Sequence, residues 1–234
     1  MRRNIVLFWF LLVSVAAPCG PGLASEPGWK TLFDGQTLEA WKAPDMGYWS
    51  VEDDAITGTV TADRLPPENV FIVWQGGEVR NFELKFKFRI FGAKANSGMQ
   101  FRSEVKDRGL VHGYQADIAQ KYVGGIWDEY GERGSLAACG QQAIIGRDGS
   151  KKLNRFAETA DLQKDINLEE WNEYHITAKG PRIILRINGK ITAGLDDYEQ
   201  GKARSSGVLA MPVIAEPMKV QYKDIRLKAL PDSN

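Results

Sequence analysis

Residues 81–90, NFELKFKFRI, constrain this chain most, because their pattern suits one backbone conformation. Phe82, Leu84, Phe86, Phe88 and Ile90 alternate with Glu83, Lys85, Lys87 and Arg89. An apolar period of two gathers on one face of a β-strand, whereas on a helix the same residues would scatter around the axis. One face of this strand must therefore be buried against a second layer.

The same alternation recurs in residues 48–60 (YWSVEDDAITGTV), 69–75 (NVFIVWQ), 98–104 (GMQFRSE), 113–120 (GYQADIAQ), 173–180 (EYHITAKG), 182–189 (RIILRING) and 219–230 (KVQYKDIRLKAL). Asn188-Gly189 falls between two of these runs, and both residues tolerate positive φ, so a tight hairpin is expected there. Residues 173–195 then form three consecutive antiparallel strands. Only residues 160–167 (ADLQKDIN) read as helical, and residues 121–167 otherwise lack strand periodicity. Many short strands without a βαβ rhythm predict an all-β fold, a two-sheet antiparallel sandwich.

Residues 1–24 carry Arg2 and Arg3, an apolar run and the small-residue site Gly22-Leu23-Ala24. That layout is a secretory signal peptide, too short in its apolar part to span a bilayer. Export to the periplasm or the extracellular space is expected, with a mature start near Ser25 and one domain over residues 25–234. Pro18 disfavours lipid attachment at Cys19. Cys139 is then the one remaining thiol, so no intramolecular disulfide forms and the core must supply the stability. Its small-residue setting, SLAACG, suits a buried inert thiol.

With 30 basic and 30 acidic residues, the net charge gives no footprint for nucleic acid or an acidic membrane. His112 and His175 have no metal-type spacing, and a GxSxG motif and a phosphate loop are missing from the sequence. No cofactor is evident; a divalent cation is compatible with the chain but not indicated, and no metal site is assigned. Nothing in the sequence sets an oligomeric state.

What remains is a polar constellation. Gln100, Arg102 and Glu104 share parity on one strand, and Gln115 and Asp117 share parity on the next, with WDEYGER (residues 127–133) following. If those strands are neighbours, their side chains line one groove. Arg102 and Asp117 are expected on the same concave face, with Trp127, Asp128, Glu129 and Arg133 closing one side. An outer sheet face that merely meets water is the plain alternative.

Several motifs in fixed order carry a resemblance over residues 28–230. These are GWKTLFDGQTLEAW, YWSVEDDAITG, FELKFKFRI, ANSGMQFRSE, GYQADI, WNEYHITAKG, INGK and VQYKDIRLKAL. Together they resemble the 3-keto-disaccharide hydrolase domain family. The resemblance implies a concanavalin-like jelly roll and cleavage of glycosides oxidised to a ketone at C3. A C3 ketone acidifies the C2 hydrogen, so the reaction needs a base, a donor at the enolate and an acid at the leaving oxygen. Asp117 is the candidate base, Arg102 the enolate stabiliser, and Glu129 or Asp128 the acid. Asn96, Gln100 and Gln115 are expected to orient sugar hydroxyls, Trp127 to stack on a ring and Arg133 to line the site. In YQADIAQ only Asp117 is acidic, which disfavours a route through paired carboxylates. A non-catalytic carbohydrate-binding module or lectin is the alternative, since the same groove would serve it.

Overall fold

The computed structural model describes residues 27–119 and 121–232. The expected leader, and with it the start of the mature chain, lies outside them. The first strands are β1 (Trp29–Thr31), β2 (Trp41–Lys42), β3 (Trp49–Glu52), β4 (Ala55–Val60) and β5 (Val70–Trp74). Next come β6 (Phe82–Phe91), β7 (Asn96–Val105), β8 (Val111–Ala119), β9 (Ile126–Glu129), β10 (Gly134–Ala137), β11 (Gln141–Ile145) and β12 (Lys151–Arg155). After a one-turn helix, α1 (Thr159–Gln163), the chain closes with β13 (Asn172–Lys179), β14 (Arg182–Ile187), β15 (Lys190–Asp197), β16 (Val208–Val213) and β17 (Met218–Ala229).

Ten strands form one sheet in the order β12-β11-β15-β14-β13-β6-β17-β4-β3, with β1 also on β17; seven form the other, β10-β9-β8-β7-β16-β5-β2. Every pairing is antiparallel except β11 with β15. The molecule is a two-sheet sandwich, as the strand pattern predicts, and it has the jelly-roll form that the family resemblance implies. Phe82, Leu84, Phe86, Phe88 and Ile90 all enter the core, where Phe86 stacks on Tyr174 with ring centroids 5.3 Å apart. Asn188 and Gly189 have φ of 49° and 79°, the turn that an Asn-Gly pair favours, and β13, β14 and β15 follow one another antiparallel.

Residues 121–167 depart from the expectation, because they hold β9 to β12 as well as α1. The reason is geometric. Strand β12 (KKLNR) is exposed along its whole length, so no buried face imposes a period of two, and β9 and β10 are only four residues each. Strand β16 escapes the same test for the opposite reason. Leu209, Met211 and Val213 face the main core, while Ala210 packs in a second apolar cluster on the other side. A strand covered on both faces reads as a continuous apolar run.

Among the described residues, no helix is long and apolar enough to cross a membrane. Cys139 is buried, and burial pushes its thiol up to about 11, which keeps it protonated and unreactive at neutral pH.

Candidate functional site

Strands β7, β8 and β9 lie side by side in the seven-stranded sheet, and their register decides which side chains can meet. Gln100 stands opposite Gln115, and Gln115 opposite Trp127. Tyr114, Ala116, Ile118, Met99 and Phe101 point into the core, so by alternation Gln100, Gln115, Asp117, Trp127 and Glu129 share the outward face.

That face is concave. Phe71 on β5 and Tyr130, just past β9, are four strand steps apart, about 19 Å in a flat sheet, yet their ring centroids are 6.2 Å apart. Asn69, at the entry to β5, likewise donates to a Glu129 Oε1 3.1 Å away. The sheet therefore curls toward its outward side. Phe71, Leu110, Val111 and Ala210 fill one end of the hollow, and the polar row occupies the rest.

The polar row is connected. Ser103 Oγ donates to Gln100 Oε1 at 2.9 Å, Gln100 Nε2 to Gln115 Oε1 at 3.0 Å, and Gln115 Nε2 to Asp117 Oδ1 at 2.8 Å. Every donor in this relay points toward Asp117, so its dipoles fix one carboxylate orientation. Two glycines give it room. A Cβ on Gly98 would fall 2.4 Å from Gln115 Cγ, and one on Gly113 would fall 2.5 Å from Ser103 Oγ.

Asp117 is only 5 % exposed. Burial pushes its carboxyl up to about 8 against the pull of the Gln115 hydrogen bond, and the charge of Glu129 adds to the rise. Burial also raises Glu129, opposed by the Asn69 bond and reinforced by Asp128. Two carboxyl groups with raised pKa values in one hollow are what proton-transfer chemistry near neutrality requires. Trp127 is half-buried at the rim, 6.0 Å from the exposed ring of Tyr122. Asn96, two residues before Gly98 on the same face, has a buried Oδ1 with no hydrogen-bond partner among the described residues.

Three expected site residues do not join this face. Arg102 and Ser103 together oppose Gly113 in a bulge, with Arg102 at φ 49°. The bulge breaks the alternation, giving Ser103 the place in the hollow and turning Arg102 inward. Its guanidinium bonds the Arg80 carbonyl at 2.7 Å, the Gly180 carbonyl at 2.7 Å and Asn81 Oδ1 at 3.3 Å. Gly180 is the turn between β13 and β14, so Arg102 clamps the two sheets together. Burial lowers its pKa to about 10, and it stays charged at neutral pH. Arg102→Lys should then cost about 1–3 kcal/mol, the penalty of leaving buried acceptors unpaired. A thermal melt will show the loss, while turnover per folded molecule stays unchanged.

Asp128 and Arg133 also face inward. Asp128 stands opposite the core residue Tyr114 and accepts from Arg133 Nε at 2.8 Å. Arg133 Nη1 reaches Asp197 on β15 of the other sheet at 2.7 Å and Glu199 at 3.2 Å, and Tyr114 donates to Asp197 at 2.6 Å. Burial opposes charge on Arg133, but the hydrogen bonds to Asp128 and Asp197 outweigh it and raise its pKa. This cluster joins the sheets and leaves Glu129 as the acid candidate in the hollow.

Sequence reasoning missed Ser103, Asn69 and Tyr122. The bulge hides Ser103, while Asn69 and Tyr122 reach the site through chain curvature and a tight turn. Among the described residues, no group of three or more His, Cys, Asp and Glu side chains is placed to hold a metal ion.

The site is thus a polar, aromatic-rimmed hollow on one sheet of a jelly roll. Residues 28–228 match the model of the 3-keto-alpha-glucoside-1,2-lyase-like domain, and the chain belongs to that family. Solved structures share the fold. A candidate glycosyl hydrolase from Parabacteroides distasonis is 20 % identical with a TM-score of 0.58, covering 87 % of this chain and 94 % of that one. The carbohydrate-binding module CBM66 from Bacillus subtilis is 14 % identical with a TM-score of 0.52, over 81 % and 96 %. A Bacillus licheniformis β-glucanase is 8 % identical with a TM-score of 0.53, over 87 % and 97 %. No curated protein matches the chain.

Proposed function

We propose that the protein cleaves 3-keto-glycosides by proton abstraction at C2, elimination and hydration, with Asp117 as the base. The observation that carries this reading is the Asp117 carboxyl, held by the Ser103–Gln100–Gln115 relay and raised to about 8 by burial. An ordinary carboxylate is a weak base toward a C–H bond. A buried one with this pKa is far stronger and still partly ionised at neutral pH.

In this mechanism the ionised Asp117 takes the C2 proton and the C–H electron pair becomes the enolate of the C3 ketone. The enolate then collapses to a C1–C2 double bond as the bond from C1 to the glycosidic oxygen breaks. Glu129, carrying a proton, delivers it to that oxygen. Water adds its hydroxyl to C1 and releases its proton to solvent, and Asp117, its own proton exchanged with solvent by then, protonates C2. Glu129 regains a proton from solvent, so the net reaction is hydrolysis.

With Arg102 turned inward, Asn96 is the amide left on the face to contact the C3 oxygen. A neutral donor stabilises an enolate less than a guanidinium would, which places more of the burden on the strength of the base. Trp127 and Tyr122 offer apolar rims to a sugar ring.

The test is aglycone release from a 3-keto-glucoside against its unoxidised parent. The oxidised substrate alone should be cleaved. Since Asp117 must be ionised and Glu129 protonated, kcat/KM should follow a bell in pH, falling in acid as Asp117 is protonated and in alkali as Glu129 loses its proton. Binding of the sugar without turnover at any pH would instead make this a carbohydrate-binding domain.

A further inference from the structure

The outward face of the ten-stranded sheet arranges its charges against their own repulsion. Arg226 on β17 stands opposite Lys85 on β6, Lys85 opposite His175 on β13, and His175 opposite Arg186 on β14. Three permanent cations and a histidine therefore occupy one row across four neighbouring strands. Lys223 and Lys87 face each other in the next row. Like charges in direct opposition destabilise a sheet, so the row needs a reason.

Part of the surrounding charge is neutralised within the chain. Lys87 pairs with Asp224 at 2.9 Å, Arg89 with Asp53 at 3.2 Å, Lys219 with Glu52 at 2.6 Å and His175 with Glu83 at 2.9 Å. Lys85, Arg186, Lys223 and Arg226 have no carboxylate in salt-bridge reach among the described residues, and the Arg226 Nε is buried without an acceptor.

Tryptophans hold three of these four cations instead, while Arg186 Nη1 donates to Thr177 Oγ1 at 3.5 Å. Lys85 and Arg226 lie 5.0 and 5.7 Å from the centre of the Trp29 ring, and Lys223 and Arg89 lie 4.2 and 4.5 Å from that of Trp171. A cation over an aromatic face keeps its full charge while losing conformational freedom, so it is already positioned for an outside anion.

Neighbouring strands repeat about every 4.8 Å, so Arg226 and Lys85 stand one step apart and Lys85 and Arg186 two steps, on either side of the Glu83-paired His175. A linear polysaccharide with one acidic group per sugar advances by a comparable distance. We propose that this face binds an acidic polysaccharide, through Lys85, Arg186 and Arg226 with Lys223 alongside. The balanced total of 30 basic and 30 acidic residues disfavours nucleic acid, which is recruited by a dominant basic field. The surface lies on the opposite side of the molecule from the hollow and does not depend on the keto-glycoside reading.

Polygalacturonate is the probe, with neutral dextran, duplex DNA and phosphatidylglycerol vesicles as the other arms. Polygalacturonate should bind and dextran should not, with affinity falling about tenfold or more as salt rises from about 50 to about 200 mM. The triple variant Lys85→Gln, Arg186→Gln and Arg226→Gln should lose at least about tenfold in affinity, while keto-glycoside turnover and melting temperature hold. If the triple variant does not fold, Arg186→Gln alone should weaken binding and steepen no salt dependence. No retention of polygalacturonate, equal binding by the variants, or preference for DNA or vesicles would overturn the proposal.

Discussion

Asp117→Asn should reduce turnover of a 3-keto-glycoside by about 10²–10⁴-fold, the usual contribution of a general base, with KM little changed. The same substitution should stabilise the protein in alkaline solution. The folded carboxyl sits at about 8, well above the ordinary range of an aspartate. Folding therefore favours the protonated form, and this contribution to stability is fully present below the unfolded pKa and lost as pH rises toward 8. Between those limits the slope approaches about 1.4 kcal/mol per pH unit. Wild-type melting temperature should fall on going from pH 6 to pH 9, whereas the asparagine variant should lack this slope. The Asn oxygen can still accept from Gln115, so the relay survives. A variant that loses both stability and activity at every pH would mean that Asp117 is a structural group.

Arg133→Met should cost about 3–5 kcal/mol, because it removes the cation from buried carboxylates and leaves them uncompensated. Arg133 is the shared partner of Asp128, Asp197 and Glu199, whose side chains are 7 %, 1 % and 13 % exposed. Methionine keeps much of the volume of the side chain, so the loss reports charge more than packing. Urea melts should show the deficit shrinking in acid, where the carboxylates take up protons. Turnover per folded molecule should be kept, since the cluster faces between the sheets. A stable Arg133→Met protein that cannot cleave substrate would restore Arg133 to the site.

How much of this was legible depends on whether a residue sits in an undisturbed strand. Residues 82–90 and the Asn188-Gly189 turn needed only local chemistry. The row of Gln100, Gln115 and Asp117 followed from parity on two strands that prove to be paired in register. Arg102 shares their sequence parity, yet one bulge turns it inward, and nothing local in GMQFRSE announces a left-handed residue at that position. Asp128 differs, because a signal was available. Had residues 126–129 been read as a strand, alternation alone would have put Asp128 on the side away from Trp127 and Glu129. Four residues are too few for that period to stand out. The raised pKa of Asp117 lies beyond sequence, since it comes from burial that the curled sheet and its apolar cluster create.

Cleavage carried out in deuterium oxide reads whether Asp117 exchanges a proton with C2. One solvent deuterium should appear at C2 of the released 3-keto sugar, placed when water adds across the double bond, with the signal lost in step with activity in Asp117→Asn. Active cleavage that leaves the original hydrogen at C2 would contradict elimination and point to direct displacement at C1.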